Sequence, residues 1–152
     1  MKVHPLQKAA SALSAGRLGP DRMDLLPPEL RPADEADAYI VQGALHELLV
    51  GTGFGTVVGH KIGCTTPVMQ RFLSINNPCA GGVFDSTTHQ TKGSFSLDRL
   101  LHPGVECEIA IRLKSDLKPG DASHNKESVA SAVGSVMAAI EVVDDRWRDY
   151  TS

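Results

Sequence analysis

Val105-Glu106-Cys107-Glu108-Ile109-Ala110-Ile111 alternates, with apolar and mostly β-branched residues at the odd positions. That period of two predicts a strand. Val105, Cys107, Ile109, Ile111 and Leu113 fall on one face, and Glu106 and Glu108 fall together on the other. Residues two apart on a strand are about 6.5–7 Å apart at the backbone, so two long carboxylates can converge on one point. At neutral pH they repel each other unless one keeps its proton or a cation lies between them. Carboxylate oxygens are hard ligands that suit Mg²⁺, Mn²⁺ or Ca²⁺ better than zinc. The competing reading is a half-solvated edge strand whose polar face happens to carry two acids.

A third acid stands out downstream. Ala139-Ile140-Glu141-Val142-Val143 also alternates as a strand, with Glu141 facing away from Ile140 and Val142. A glutamate inside an apolar run needs a partner. A cation shared with the first two acids would serve, and so would Arg146, which follows closely.

The totals bound the class. A chain of 152 residues is one domain by length and can bury a sizeable core. The net charge of -3 gives no electrostatic case for nucleic acid or an anionic membrane surface. Three cysteines, Cys64, Cys79 and Cys107, with no C-x-x-C among them, argue against a disulfide framework or a zinc site and for a reducing compartment. There is no apolar run of transmembrane length, and Pro5, Gln7 and Lys8 interrupt what a signal peptide would keep apolar. These features predict a cytoplasmic protein.

Outward from the acidic strand, the punctuation sets the other elements. Leu6, Ala9, Ala10 and Leu13 recur at helical spacing from about His4 to Ala15, with Gly16 as the expected stop. Pro27, Pro28 and Pro32 mark a loop. Asp34 can cap a second helix whose apolar stripe is Ile40, Val41, Ala44, Leu45, Leu48 and Leu49, ended by Gly51 and Gly53. His46 on that helix reads as a surface residue. Thr56 to Ile62 reads as a strand in which Lys61 shares a face with Gly59 and Gly63, leaving room for a ligand or another backbone. Thr66 and Pro67 start a short helix, and Ala80-Gly81-Gly82 reads as a flexible turn. Val83-Phe84 and Ser94 to Leu97 read as short strands, and Lys118-Pro119-Gly120-Asp121 as a turn. Asn125 can cap a third helix carrying Val129, Ala132, Val133 and Val136 on one face.

Four segments, taken together and in this order, resemble the fumarylacetoacetate hydrolase superfamily, and within it the 2-keto-4-pentenoate hydratase and 4-oxalocrotonate decarboxylase branch. Ala38-Tyr39 with Gln42 looks like that branch's A-Y-x-x-Q helix. Gly59-His60-Lys61-Ile62-Gly63 followed by Thr65-Thr66 is similar to its G-x-K-[IM]-G-x-T-[ST] strand and turn. Pro103-x-Val105-Glu106-x-Glu108-Ile109-Ala110 resembles its P-x-V-E-x-E-I-A strand, and Ala139-Ile140-Glu141-Val142-Val143-Asp144-x-Arg146 its A-I-E-I-V-D-S-R strand. E-x-E alone is weak; the four in sequence are specific.

The resemblance implies an α+β fold: an N-terminal helical region at 1–55, then part of a mixed β-roll at 56–152, with the C-terminal half of the roll absent. It implies that Glu106, Glu108 and Glu141 bind Mg²⁺ or Mn²⁺, and that Lys61 lies near the carboxylate and oxo group of a small 2-oxo acid substrate. The implied chemistry is hydration by way of an enolate. Decarboxylation, acylpyruvate-type hydrolysis and a non-catalytic fragment are the alternatives; the hydrolysis needs a base to activate water, for which His60 is a weak candidate because alternation turns it away from Lys61. One motif departs: where the hydratases carry P-D-[FY]-G, this chain has Pro78-Cys79-Ala80-Gly81. Cys79 thus stands where the branch has a proton-transfer acid, and a thiol of reference pKa about 8.5 is not an equivalent base. It is expected solvent-accessible at a pocket mouth on a glycine-flanked loop. A half-length roll further implies a homo-oligomer or a partner supplying the remainder, and no turnover by the lone monomer.

Overall fold

A computed structural model describes residues 4–118 and 124–149; most of the turn expected at Lys118 to Asp121 lies outside them. Contacts gather the chain into two units, one of positions 1–101 and 146–152 and the other of 102–145.

The first unit is built on two helices. α1 spans Pro5–Leu18, with the His4 ring nitrogen accepting from the Leu6 amide and Pro5 in the first turn, where its missing N–H costs nothing. It runs past Gly16, the expected stop, and ends at Gly19. A side chain at Gly16 would collide with Met23, whose sulfur lies 2.1 Å from where a β-carbon would stand. α2 spans Glu35–Leu49, capped by Asp34 through the Asp37 amide. Ala9, Ala10 and Val41 form the buried centre, and Leu6, Leu13, Leu26, Leu30, Ala44, Leu45 and Leu48 pack around it. Two alanines with no exposed surface let the helices approach closely. Val41 and Leu49, among the buried apolar residues, each contribute about 1.5–3 kcal/mol of transfer free energy.

α2 leaves through a wider turn, Val50–Phe54, in which Gly53 has φ 94 and the following Gly55 has φ 74. The Asp85 carboxylate fills the space a side chain at Gly55 would need and accepts from the Thr56 amide at 3.1 Å. That junction launches β1, Val57–Gly63, which pairs antiparallel with β2, Cys79–Phe84. Between them lies α3, Pro67–Phe72, capped by Thr66 as expected. Two expectations fail here. Ala80-Gly81-Gly82 is strand rather than turn, because β1 gives its backbone a partner along its whole length. Ser94 to Ser96 has no regular structure, and Leu97–Arg99 is a single 3-10 turn: its alternation has no partner strand to pair with.

The second unit is a long hairpin. β3, Pro103–Leu113, pairs antiparallel with β4, Val133–Asp144. α4, Lys126–Ala132, precedes β4 and opens with a reciprocal cap between Asn125 and Ser128. The helical face expected through Val133 and Val136 stops at Ala132, and both valines belong to the strand. The described residues thus form a mixed helix-and-strand fold with two antiparallel pairs, β1–β2 and β3–β4. None of the described helices is long and apolar enough to cross a membrane.

Candidate metal centre and the lysine–cysteine hairpin

The β3–β4 register decides what stands beside what. Directly paired residues share a face, and Glu106 pairs with Glu141, Cys107 with Ile140, Glu108 with Ala139 and Ile109 with Ala138. One face therefore carries Val105, Cys107, Ile109, Ile111, Val136, Ile140 and Val142. The other carries Glu106 and Glu108 with Glu141 across from the first of them. Like charges directly opposite on a sheet destabilise it. Yet one carboxylate oxygen from each of the three lies within 4.8 Å of the others. Glu106 and Glu108 are exposed and Glu141 is half-buried.

Three oxygens and no sulfur or nitrogen make a hard donor set. Two oxygens on one cation at about 2.0–2.6 Å can stand no more than about 4–5 Å apart, so the observed spread fits a calcium-sized ion as it is and a magnesium-sized one after a slight inward turn. In the first unit, the Arg146 guanidinium donates to the carbonyls of Gly16 and Gly19, at 3.3 and 2.9 Å.

In that first unit, Lys61 and Cys79 share the β1–β2 hairpin. Lys61 pairs with Gly81, and its Cγ lies 3.3 Å from where a Gly81 β-carbon would stand. Gly81 is thus the surface on which the lysine stem rests. Cys79 is the first residue of β2, opposite Gly63, and is exposed. It sits on a strand and not on the glycine-flanked loop expected for it, since the pairing extends one residue further than Pro78 suggested.

Three side chains on one face of α2 meet β2, and two of them hold its backbone. The Tyr39 hydroxyl accepts from the Ala80 amide at 2.9 Å, and the Gln42 amide nitrogen donates to the Ala80 carbonyl at 2.9 Å. One turn on, His46 packs over Gly82, its Cε1 2.7 Å from where a β-carbon would be, and meets Phe84 edge-on at 5.4 Å. His46 is therefore half-buried and not the surface residue its position suggested. Burial first, then the charges of Arg17 and His60, holds its pKa below the usual histidine range. The A-Y-x-x-Q motif was visible in the sequence with no task attached. Its signal was the spacing: positions 39, 42 and 46 lie on one helical face.

No family model matches the chain. Sequence relatives do match. The 2-keto-4-pentenoate hydratase of Burkholderia vietnamiensis is 38% identical over 117 residues, which are 77% of this chain and 44% of that protein. The 4-oxalocrotonate decarboxylase of Pseudomonas putida is 30% identical over 115 residues, 76% of this chain and 42% of that one. Over about three quarters of its length the chain is similar to these hydratases and decarboxylases. It spans less than half the length of these two curated relatives. The fold agrees: solved structures of the Pseudomonas putida G7 4-oxalocrotonate decarboxylase, one complexed with magnesium and adipate and one with calcium and acetate, superpose with a TM-score of 0.82 at 23% identity. They cover 95% and 97% of this chain, which in turn covers 54% and 57% of theirs.

Proposed function

We propose that the chain carries the metal-binding part of a divalent-metal-dependent hydratase acting on a small 2-oxo or 2-hydroxydienoate acid. The observation that carries this is the convergence of Glu106, Glu108 and Glu141 on one face of the β3–β4 hairpin. Magnesium and calcium in the decarboxylase structures, and the hydratase names of the sequence relatives, support the same reading. The three glutamates would hold Mg²⁺ or Mn²⁺ through oxygen. Such an ion supplies positive charge beside oxygens on which negative charge develops when a neighbouring carbon gains or loses a proton. Lys61 offers an ammonium to the substrate carboxylate. Cys79 offers an exposed thiol where the branch has an acid. Tyr39 and Gln42 act one step back, fixing the Ala80 peptide next to Cys79. The fold in this reading is the superfamily's mixed β-roll, and the bare apolar face of β3–β4 is where its remainder would pack, from a longer chain or a second subunit. Ile109 and Ile140, 75% and 71% exposed, stand at its centre.

A decarboxylase is the second reading, supported by the decarboxylase among the sequence relatives and by the structural match. Titration calorimetry tests the shared core of both. Mg²⁺ or Mn²⁺ is titrated first, then a saturated 2-oxo acid with and without the cation. The acid is expected to bind only with the cation, and Glu141→Gln is expected to lose both events. Equal binding of the acid in EDTA would overturn the proposal. Where turnover is measured, loss of dienol absorbance without carbon dioxide release marks the hydratase, and carbon dioxide release marks the decarboxylase.

A further inference from the structure

Cys64 and Cys79 stand at the connected end of the β1–β2 hairpin, where the segment carrying α3 leaves β1 and enters β2, with their sulfurs 3.7 Å apart. Gly63 is the cross-strand partner of Cys79, and Cys64 is the next residue along. The Cys79 sulfur reaches across Gly63, coming within 3.5 Å of where a β-carbon there would lie. Cys64 has φ 56, a left-handed conformation rare for a residue with a β-carbon, and its carbonyl accepts from the Gln70 side chain at 2.9 Å. Ala80, beside Cys79, is held by Tyr39 and Gln42. Both backbones at this end are therefore fixed by side chains from elsewhere in the unit. A disulfide needs about 2.05 Å between sulfurs, and side-chain rotation can supply the closure with little backbone movement.

We propose that Cys64 and Cys79 are a redox pair that closes reversibly into an intrachain disulfide when the protein meets a peroxide. The exposed Cys79 reacts first: its sulfur bonds to one peroxide oxygen, the O–O bond breaks, and water leaves. Cys64 then attacks that sulfur; the S–S bond forms, the S–O bond breaks, and a second water leaves with the Cys64 proton. Two S–H bonds are lost, the pair is oxidised by two electrons, and hydrogen peroxide is reduced to two waters. Burial, reinforced by the hydrogen bond and charge of Cys79, raises the Cys64 pKa and keeps that thiol protonated, which leaves the first reaction to the exposed Cys79. A disulfide carries no exchangeable proton, so closure would also withdraw Cys79 from proton transfer. That consequence rests on the function proposed above; the bond itself does not.

The test treats the native full chain with stoichiometric hydrogen peroxide, blocks remaining thiols with N-ethylmaleimide, digests without reductant and reads peptide masses. Two of the three thiols should disappear, leaving Cys107, and the tryptic peptides 62–71 and 72–92 should appear joined and two hydrogens lighter than their sum. Dithiothreitol should restore all three. Cys107→Ser should still form the joined peptide, and Cys64→Ser should leave Cys79 blocked or over-oxidised. Linkage through Cys107, interchain dimers on a non-reducing gel, or three thiols surviving would each overturn the assignment.

Discussion

Replacing Glu106 with glutamine should change the sign of its effect with the metal. Glu106 faces Glu141 directly and shares its strand face with Glu108. With all three oxygens within 4.8 Å, each charge pair repels by about 0.9 kcal/mol in water. Glu106 takes part in two such pairs, about 1.7 kcal/mol, and a Debye length of about 8 Å at physiological salt reduces this to about 1 kcal/mol. In EDTA, Glu106→Gln should therefore melt about 2–4 °C above the native chain. A cation at about a hundred times its dissociation constant stabilises the native chain by about 2.7 kcal/mol, or about 5–10 °C, and should do little for the variant. Scanning calorimetry on both proteins, in EDTA and across a Mg²⁺ or Mn²⁺ series, should show the two melting curves cross. A variant less stable than native in EDTA would mean that the carboxylate is held by a structural partner. Equal gains in both proteins would put the cation elsewhere. Either result refutes the reasoning.

Other perturbations test the scaffold. Gly55→Ala should cost at least about 2 kcal/mol in denaturant unfolding, because its β-carbon would lie 1.7 Å from an Asp85 oxygen at φ 74. Gly43→Ala, mid-helix with nothing within 4 Å, should stabilise by about 0.5–1 kcal/mol in the same assay. Tyr39→Phe strips the acceptor from the Ala80 amide and should cost about 1 kcal/mol, coupled non-additively to Gln42→Ala in a double-mutant cycle. His46, whose pKa is lowered in the folded state, binds its proton more readily when unfolded. Its share of stability is therefore full above pH about 6.5 and lost as pH falls below that value, and His46→Gln should flatten the stability profile between pH 5 and 7.

Much of this was legible in the chain itself. Alternation set Glu106 and Glu108 on one face and separated Glu141 from Ile140 and Val142, and the pairing register only had to bring the two strands together. Caps were equally readable: Asp34, Thr66 and Asn125 each act locally, through an amide three residues on. What could not be read depended on partners distant in sequence. Ala80-Gly81-Gly82 becomes strand because β1 lies beside it. Ser94 to Leu97 has the strand pattern and no strand neighbour. His46 looks solvent-facing until Gly82, in another element, makes room for its ring. Gly16 reads as a helix stop, but it lies inside α1 and is where Met23 folds back onto the helix.

The β3–β4 pairing also makes the carboxylate cluster a matter of parity. An insertion or deletion just after β3, from Ser115 to Lys118, changes the length of the connection and leaves the three acids where they are. The same single-residue change inside β3, between Glu106 and Glu108, would turn one of them through to the face of Ile109 and Ile140. It would put a charge among aliphatic side chains and a methyl-bearing one among oxygens. Descendants of this hairpin can therefore drift freely in loop length while their strands stay locked, residue for residue, to the spacing of the acids.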